Sequence, residues 1–204
     1  FFVEEAENGV DSPRLDLHEA SPGVHVAVPR LPAGLDEEAG ARVQQSLLAE
    51  LVQTHSIADY LLWYYTPMAL PFTRQLSPRA VVYDCMDELT AFAGAPPALR
   101  EREAELLRRA SLVLTGGHSL YEAKRDRHHN VHALPSSVDV AHFARARREI
   151  VEPLDQLRIP RPRLGFFGVI DERMDLDLLA AVARARPDLQ IVMVGPVVKI
   201  DPAS

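Results

Sequence analysis

Short runs of apolar residues alternate along this chain with longer segments of helical periodicity, and this alternation limits the fold more than any other feature. The apolar runs predict strands over residues 1–5, 24–28, 60–65, 81–83, 112–115 and 131–134. The periodic segments predict helices over residues 34–54, 98–110 and 118–127, the second with Leu99, Leu106, Leu107 and Ala110 facing inward. Because parallel strands need crossover connections, usually helical, the sequence predicts a doubly wound α/β fold with a parallel sheet.

The alternation is interrupted over residues 145–163, where three prolines prevent a continuous helix. It resumes with a strand over 164–167, a helix that Asp175 caps and a strand over 189–194. On this helix Leu178, Leu179 and Val182 are predicted to face inward. We therefore predict a first Rossmann-like domain over residues 1–150, a linker over 151–163 and the beginning of a second domain over 164–204. The chain begins inside a strand-like run and ends just after another strand, so we expect a fragment of a longer protein.

Composition narrows the class of protein. The chain carries a formal net charge of −7 and a single cysteine, Cys85. A negative net charge argues against a nucleic-acid-binding protein, because the affinity of such proteins depends on positive side chains that contact phosphate groups. No apolar run is long enough to cross a bilayer as a helix, and the histidine-rich stretch 128–132 lacks the spacing of a zinc site. We expect a cytoplasmic protein with neither a metal nor a cofactor.

Three carboxylates follow the strand predicted over 81–83. Ligands of open α/β sheets bind outside the carboxyl ends of the strands, and Asp84, Asp87 and Glu88 lie at such an end. Their mutual repulsion is relieved if a substrate hydroxyl, a metal or an arginine shares the charge, which indicates an acceptor-binding or general-base site. A structural alternative stays open, in which Asp87 or Glu88 caps the next helix and Asp84 is a solvated turn residue.

A glycine-containing turn follows the strand predicted over 112–115. It consists of Gly116, Gly117, His118 and Ser119. Glycines between a strand and a helix let backbone N–H groups approach an anion. A tight turn without a ligand explains the same residues equally well.

The end of the first strand beyond the linker and the loop that follows it contain residues suited to a phosphate-bearing ligand. Gly165 and Gly168 allow close backbone approach, and Arg173 is close enough in sequence to neutralise a diphosphate. A plain turn with Arg173 paired to Asp171 is the alternative. The GxGxxG dinucleotide pattern is absent, which weighs against NAD. Gly195, after the next strand, either lines a base or ribose pocket or only ends the strand.

Several motifs taken together are more specific than any one of them. They are Leu62-Trp63-Tyr64-Tyr65-Thr66-Pro67, Val82-Tyr83-Asp84-Cys85-Met86-Asp87-Glu88, Pro135-Ser136-Ser137-Val138-Asp139 with Phe143, and Leu164-Gly165-Phe166-Phe167-Gly168-Val169-Ile170-Asp171-Glu172-Arg173. In this order they resemble bacterial glycosyltransferases of the GT-B fold, in the family-1/family-4-like group. The resemblance spans roughly residues 60–199. Ser137 stands where that family more usually has glycine, and many relatives carry a histidine at the strand end that is acidic here.

The resemblance implies a GT-B-like hexosyltransferase that moves a sugar from a UDP-, GDP- or ADP-sugar to a glycan or lipid-linked acceptor, in polysaccharide or cell-envelope synthesis. The first domain would hold the acceptor and the second the donor. On this basis the catalytic candidates are Asp84, Asp87 and Glu88. The donor-binding candidates are Gly165, Phe166, Gly168, Arg173, Gly195 and Lys199. The acceptor-side loop consists of Gly116, Gly117, His118 and Ser119.

Other functions stay open at this point. A GT-B-like nucleotide-sugar epimerase needs no acceptor, and a non-catalytic domain would bind only a glycan or a protein. Relatives carry a further first strand and a later Glu–seven residues–Glu element, so we expect the fragment itself to be inactive. The basic residues Arg100, Arg102, Arg108, Arg109, Lys124, Arg125 and Arg127 suggest peripheral contact with the inner face of the membrane. A solvated helical surface explains them as well.

Overall fold

The computed structural model describes residues 1–92, 94–148 and 151–198. Lys199, one of the donor-binding candidates, lies outside the described residues. The chain divides into two compact units, Phe1–Ser137 and Val138–Ser204, which we call unit 1 and unit 2 and describe separately.

The helices and strands alternate along most of the chain, as the sequence predicts. The strands are β1 (Phe2–Val3), β2 (Glu7–Asn8), β3 (Arg14–Ser21), β4 (Val24–Leu31), β5 (Leu61–Tyr64), β6 (Ala80–Cys85), β7 (Leu112–Thr115), β8 (Val131–Ala133), β9 (Arg163–Phe167) and β10 (Gln190–Val194). The helices are α1 (Glu37–Thr54), α2 (Leu70–Thr73), α3 (Ala98–Arg109), α4 (His118–Lys124), α5 (Val140–Phe143) and α6 (Leu176–Ala185). Short 3₁₀ turns cover Pro67–Ala69, Leu89–Ala91 and Ala144–Arg147.

Unit 1 contains two open sheets. In one of them β5, β6, β7 and β8 lie side by side in that order, and each neighbouring pair is parallel. In the other, β1 and β2 are parallel to β4. The prediction of an α/β fold with parallel strands is therefore confirmed, and the arrangement is compatible with a Rossmann-like fold.

A hairpin in unit 1 departs from the prediction of parallel strands alone. The strand β3 is antiparallel to β4, with Leu17 opposite Ala27. The sequence carries the signal for this hairpin, because Leu15 and Leu17 alternate with polar residues and Pro22-Gly23 follows. Gly23 has a φ of +80°, which the connecting turn requires and glycine adopts without strain.

One face of the β5–β8 sheet forms a hydrophobic core with α2 and α3. The buried members of this core are Tyr64, Leu70, Val81, Tyr83, Cys85, Leu106, Leu107, Ala110 and Val113. The inward positions predicted on α3 from its periodicity, Leu99, Leu106 and Leu107, are all buried. Since side chains alternate along a strand, Trp63, Val82, Asp84 and Leu114 lie on the opposite face of the sheet.

Unit 2 is built around the parallel pair β9 and β10, joined by α6. The carboxylate of Asp175 accepts a hydrogen bond of 2.8 Å from the backbone N–H of Leu178, which confirms the predicted N-cap. The prediction that Leu178 faces inward is wrong, because its side chain is 60% exposed. Leu179 and Val182 are half-buried.

None of the helices in the described ranges combines the length and the apolar character that spanning a bilayer requires.

Candidate functional site

The carboxyl end of β6 carries the first group of predicted site residues. The strand runs to Cys85, two residues beyond the predicted end, so Asp84 lies within the strand and not in a turn. Its side chain is half-buried, whereas Asp87 in the following loop is exposed. Asp84 lies opposite Leu114 of β7 and is therefore directed away from the core face.

Asp84 has an aromatic partner that the sequence did not suggest. The indole N–H of Trp63 donates to Oδ2 of Asp84 across 3.3 Å, which is long for such a bond. Trp63 is the next-to-last residue of β5 and Asp84 the next-to-last of β6. Because the two strands are neighbours and parallel, both side chains lie at the carboxyl end of the sheet.

Glu88, the third predicted carboxylate, belongs to a buried ionic cluster. The ammonium of Lys124 lies 2.7 Å from Oε2 of Glu88 and 2.6 Å from Oε1 of Glu103. Arg127 donates to Oε2 of Glu103 across 2.8 Å, and the hydroxyl of Tyr83 donates to Oε1 of Glu103 across 3.3 Å. We call these five residues the Lys124 cluster. It joins α3, α4, β6 and the loop after β6.

Burial and charge set the pKa values within and beside this cluster. For the carboxyl of Glu88, burial raises the pKa, but hydrogen bonds from Lys124 and Thr90 outweigh it, so the pKa is lowered. For Lys124, burial lowers the pKa, and the two carboxylates more than offset it, so the pKa is raised. Both shifts favour the charged forms, and the ion pair is therefore kept at neutral pH.

Cys85 lies next to this cluster and is inert by its surroundings. Its side chain is 1% exposed, and burial raises the pKa of its thiol. The thiol lies 3.5 Å from the backbone oxygen of Asp87. Since the thiolate is the reactive form, a buried thiol of raised pKa is a poor nucleophile.

The turn after β7 approaches the turn after β6 closely. The backbone N–H of Gly116 donates to the carbonyl of Cys85 across 3.0 Å. A Cβ atom at Gly116 would lie 2.9 Å from the carbonyl oxygen of Met86, closer than real side chains come. The glycine is thus explained by main-chain packing, while Gly117 has open space around it. His118 and Ser119 begin the seven-residue helix α4 and are exposed.

In unit 2 the turns after β9 and β10 are in direct main-chain contact. Gly168 has a φ of +144° and Gly195 a φ of +152°, a region that favours glycine. A Cβ atom at Gly195 would overlap the carbonyl group of Gly168. The parallel pairing continues beyond the strands, because Ile170 N–H donates to the carbonyl of Pro196 across 2.9 Å.

The remaining donor-binding candidates are dispersed around this turn. Gly165 and Phe166 lie within β9, which agrees with the strand predicted over 164–167. The guanidinium of Arg173 is bound to the carboxylate of Asp171, with Nη2 2.7 Å from Oδ2. Arg173 is 61% exposed and Asp171 only 10%. A diphosphate would therefore share Arg173 with a carboxylate already beside it, and its donor role stays a prediction.

A cavity of about 410 Å³ lies elsewhere in unit 1 and shares no residue with the predicted site. It is lined by Glu37, Glu38, Ala41, Arg42, Gln45, Pro71, Arg74 and Arg102. Each of its three arginines is paired with a glutamate: Arg42 with Glu38, Arg74 with Glu105, and Arg102 with Glu37. Its positive charge is thus largely neutralised.

The histidine-rich stretch has a structural role. His128 is hydrogen-bonded through Nε2 to the carbonyl of Ala110 across 3.0 Å, and its Nδ1 lies 3.1 Å from the backbone nitrogen of Asn130. Within the described ranges, no group of three or more His, Cys, Asp or Glu side chains is arranged to hold a metal ion.

No protein-family model matches the chain, and no curated protein matches it. The functional argument therefore depends on the residues and their geometry.

Proposed function

We propose that this chain belongs to a nucleotide-sugar-dependent glycosyltransferase of GT-B type, with acceptor-binding residues in unit 1 and donor-binding residues in unit 2. The observation that supports it best is the pairing of Trp63 with Asp84 at the carboxyl end of parallel strands, where ligands of such sheets bind. The loop that carries Asp87 extends from the same end.

The three carboxylates take different roles in this proposal. A general base must be within reach of the acceptor hydroxyl whose proton it accepts. Asp87 is exposed and Asp84 half-buried, whereas Glu88 is held by Lys124. We therefore assign proton acceptance to Asp84 or Asp87. Glu88 positions the loop that carries Asp87.

The donor side requires stabilisation of the negative charge that develops on the leaving diphosphate. Backbone N–H groups and an arginine supply such stabilisation without a metal ion. The main chains at Gly168 and Gly195 are packed against each other, since a Cβ atom at Gly195 would overlap the Gly168 carbonyl, and in this proposal the diphosphate lies beside this fixed turn. Arg173 is 61% exposed, so its guanidinium is accessible for a phosphate oxygen.

Nucleotide-sugar binding to the chain tests the proposal. UDP-glucose, GDP-mannose and ADP-glucose are added separately, and thermal unfolding is followed. We expect one of them to raise the unfolding temperature, since a ligand at 100 times its Kd adds about 2.7 kcal/mol to stability. An absence of any shift with all three nucleotide-sugars would contradict the proposal.

Two matched variants locate the donor site. Arg173→Gln should weaken binding about tenfold, because a hydrogen bond to a charged group is lost. Arg184→Gln, in the last turn of α6, should leave binding unchanged. Equal binding by both variants would exclude Arg173 from the donor site. Product analysis with and without an acceptor, on the longer protein that the sequence predicts, separates transfer from epimerisation.

A further inference from the structure

Trp63 presents an aromatic surface to solvent. It is the only tryptophan of the chain, and 51% of it is exposed. Leu61, on the same strand and the same face, is 56% exposed. Tyr65 follows directly after β5, is 47% exposed, and has its ring centroid 6.4 Å from that of Phe2. The carboxyl end of β5 is therefore an exposed aromatic surface.

The bond to Asp84 fixes how the indole is presented. The indole has one hydrogen-bond donor, its N–H, and this donor is directed to Oδ2 of Asp84. The bond orients the ring beside the carboxylate. Within the described ranges, Trp63 is the hydrogen-bond partner shown for the Asp84 side chain, and the bond engages one of its two oxygens. The other oxygen can accept from a ligand.

An apolar ring beside a carboxylate suits a pyranose ring. One face of a pyranose presents C–H groups, whose partial positive charge is attracted by the negative face of the indole. Its rim carries hydroxyl groups that donate to a carboxylate. An acyl chain at this place would remove the charged carboxylate of Asp84 from water and leave it only the indole N–H of Trp63 as a partner, which is costly. A phosphate would be repelled by Asp84 and Asp87.

We infer that Trp63 and Asp84 form a carbohydrate platform, on which an uncharged sugar ring of the acceptor stacks against the indole and donates a hydroxyl hydrogen bond to Asp84. This inference rests on the proposed function and narrows the acceptor to a glycan whose contacted ring carries no phosphate. It adds Trp63 as a binding residue of the acceptor side.

The single tryptophan makes the test direct, because any change of intrinsic tryptophan fluorescence comes from Trp63. The chain is titrated with maltose, cellobiose, lactose and chitobiose, and in separate arms with glucose 1-phosphate and with vesicles of phosphatidylglycerol. We expect a saturable fluorescence change with at least one disaccharide. A change with glucose 1-phosphate or the vesicles alone would overturn the inference, as would no saturable change at all.

Variants then identify the residues. By calorimetry, Trp63→Ala should weaken disaccharide binding about tenfold or more, and Trp63→Phe should weaken it less because a ring remains. Asp84→Asn should weaken disaccharide binding about three- to tenfold. An unchanged unfolding transition of this variant would show that the weaker binding does not come from misfolding. Leu61→Ala, an exposed neighbour on the same face, should bind as the unchanged chain does. Unaltered binding by both Trp63→Ala and Asp84→Asn would overturn the platform.

The two binding experiments together distinguish failure of the carbohydrate platform from failure of the proposed glycosyltransferase function. Disaccharide binding without binding of any nucleotide-sugar would support the platform and contradict the transferase. Nucleotide-sugar binding without disaccharide binding would support the donor side and overturn the platform.

Discussion

The ammonium of Lys124 lies 2.6 Å from a carboxylate oxygen of Glu103, and both side chains are almost completely buried, at 1% and 6% exposure. The pair joins α4 to α3 beneath the loop that carries Asp87. It makes the geometry of the proposed acceptor side dependent on a contact between residues that are distant in sequence.

Removing the cation from this pair should destabilise unit 1 strongly. We expect Lys124→Met to lower the free energy of unfolding by about 3 kcal/mol or more, because a buried carboxylate loses its closest partner. Denaturant unfolding measures the change. Arg125→Ala, which breaks the exposed pair with Glu122, is the control and should cost under about 1 kcal/mol. Equal losses in the two variants would contradict the importance of the buried pair.

The two glycines after β7 should respond differently to alanine. A Cβ at Gly116 would lie 2.9 Å from the Met86 carbonyl oxygen, whereas the space around Gly117 is open and its backbone is extended. We expect Gly116→Ala to lose about 1–3 kcal/mol of stability and Gly117→Ala to stay within about 0.5 kcal/mol of the unchanged chain. Unfolding curves of the two variants make the comparison, and a reversed order would refute the close approach.

Stability should fall in acid through the contact between Arg74 and Glu105. Two hydrogen bonds from Arg74, of 3.0 and 2.6 Å, hold the pKa of the Glu105 carboxyl below its ordinary value. The stabilisation is therefore complete above the unfolded pKa of about 4.3 and is lost as the pH falls through the lower folded pKa. Arg74→Ala should flatten the dependence of unfolding free energy on pH in this range. Arg108→Ala, exposed on the same helix α3, should not.

Cys85 should react only when the chain opens. Its thiol is buried and its pKa raised, so alkylation of the folded chain is limited by opening of the structure. For an opening free energy of about 3 kcal/mol, the rate is about a hundredfold below that of the denatured chain. Mass spectrometry of iodoacetamide-treated samples measures the rates, and comparable labelling of the folded and denatured chain would contradict the burial.

The sequence predicted the regular elements better than the contacts between them. Apolar runs and helical periodicity located β5 to β10 and the longer helices, because these patterns are local. They did not indicate that Glu103 is buried, since its partner Lys124 lies on another helix and no spacing rule connects them. Leu178 was expected to face inward from periodicity alone, but its side chain is exposed, because periodicity marks an apolar face of a helix and does not show what covers that face.

At the candidate site, too, local patterns in the sequence were informative and contacts between residues distant in sequence were not predicted. The rule that ligands bind at the carboxyl ends of strands directed attention to Asp84 and Gly116, and the structure has both at the carboxyl ends of neighbouring strands. It did not separate the exposed Asp87 from Glu88, which Lys124 holds. Nor did it select Trp63, whose apolar neighbours in sequence suggested an ordinary buried strand. An aromatic residue at a strand end, one strand away from an acidic strand end, is the signal that would have found it.

The turn at Gly168 and Gly195 has a consequence for how such a chain diversifies. Main-chain hydrogen bonds at Ile170 and Val198 hold this turn, so its path does not depend on the exposed side chains of Val169 and Val197. The side chains at those two positions can therefore change in size and polarity during evolution without altering the main-chain path of the turn. If the proposed donor role holds, the preference for one nucleotide-sugar over another can then change at little cost to folding, provided that both glycines are retained.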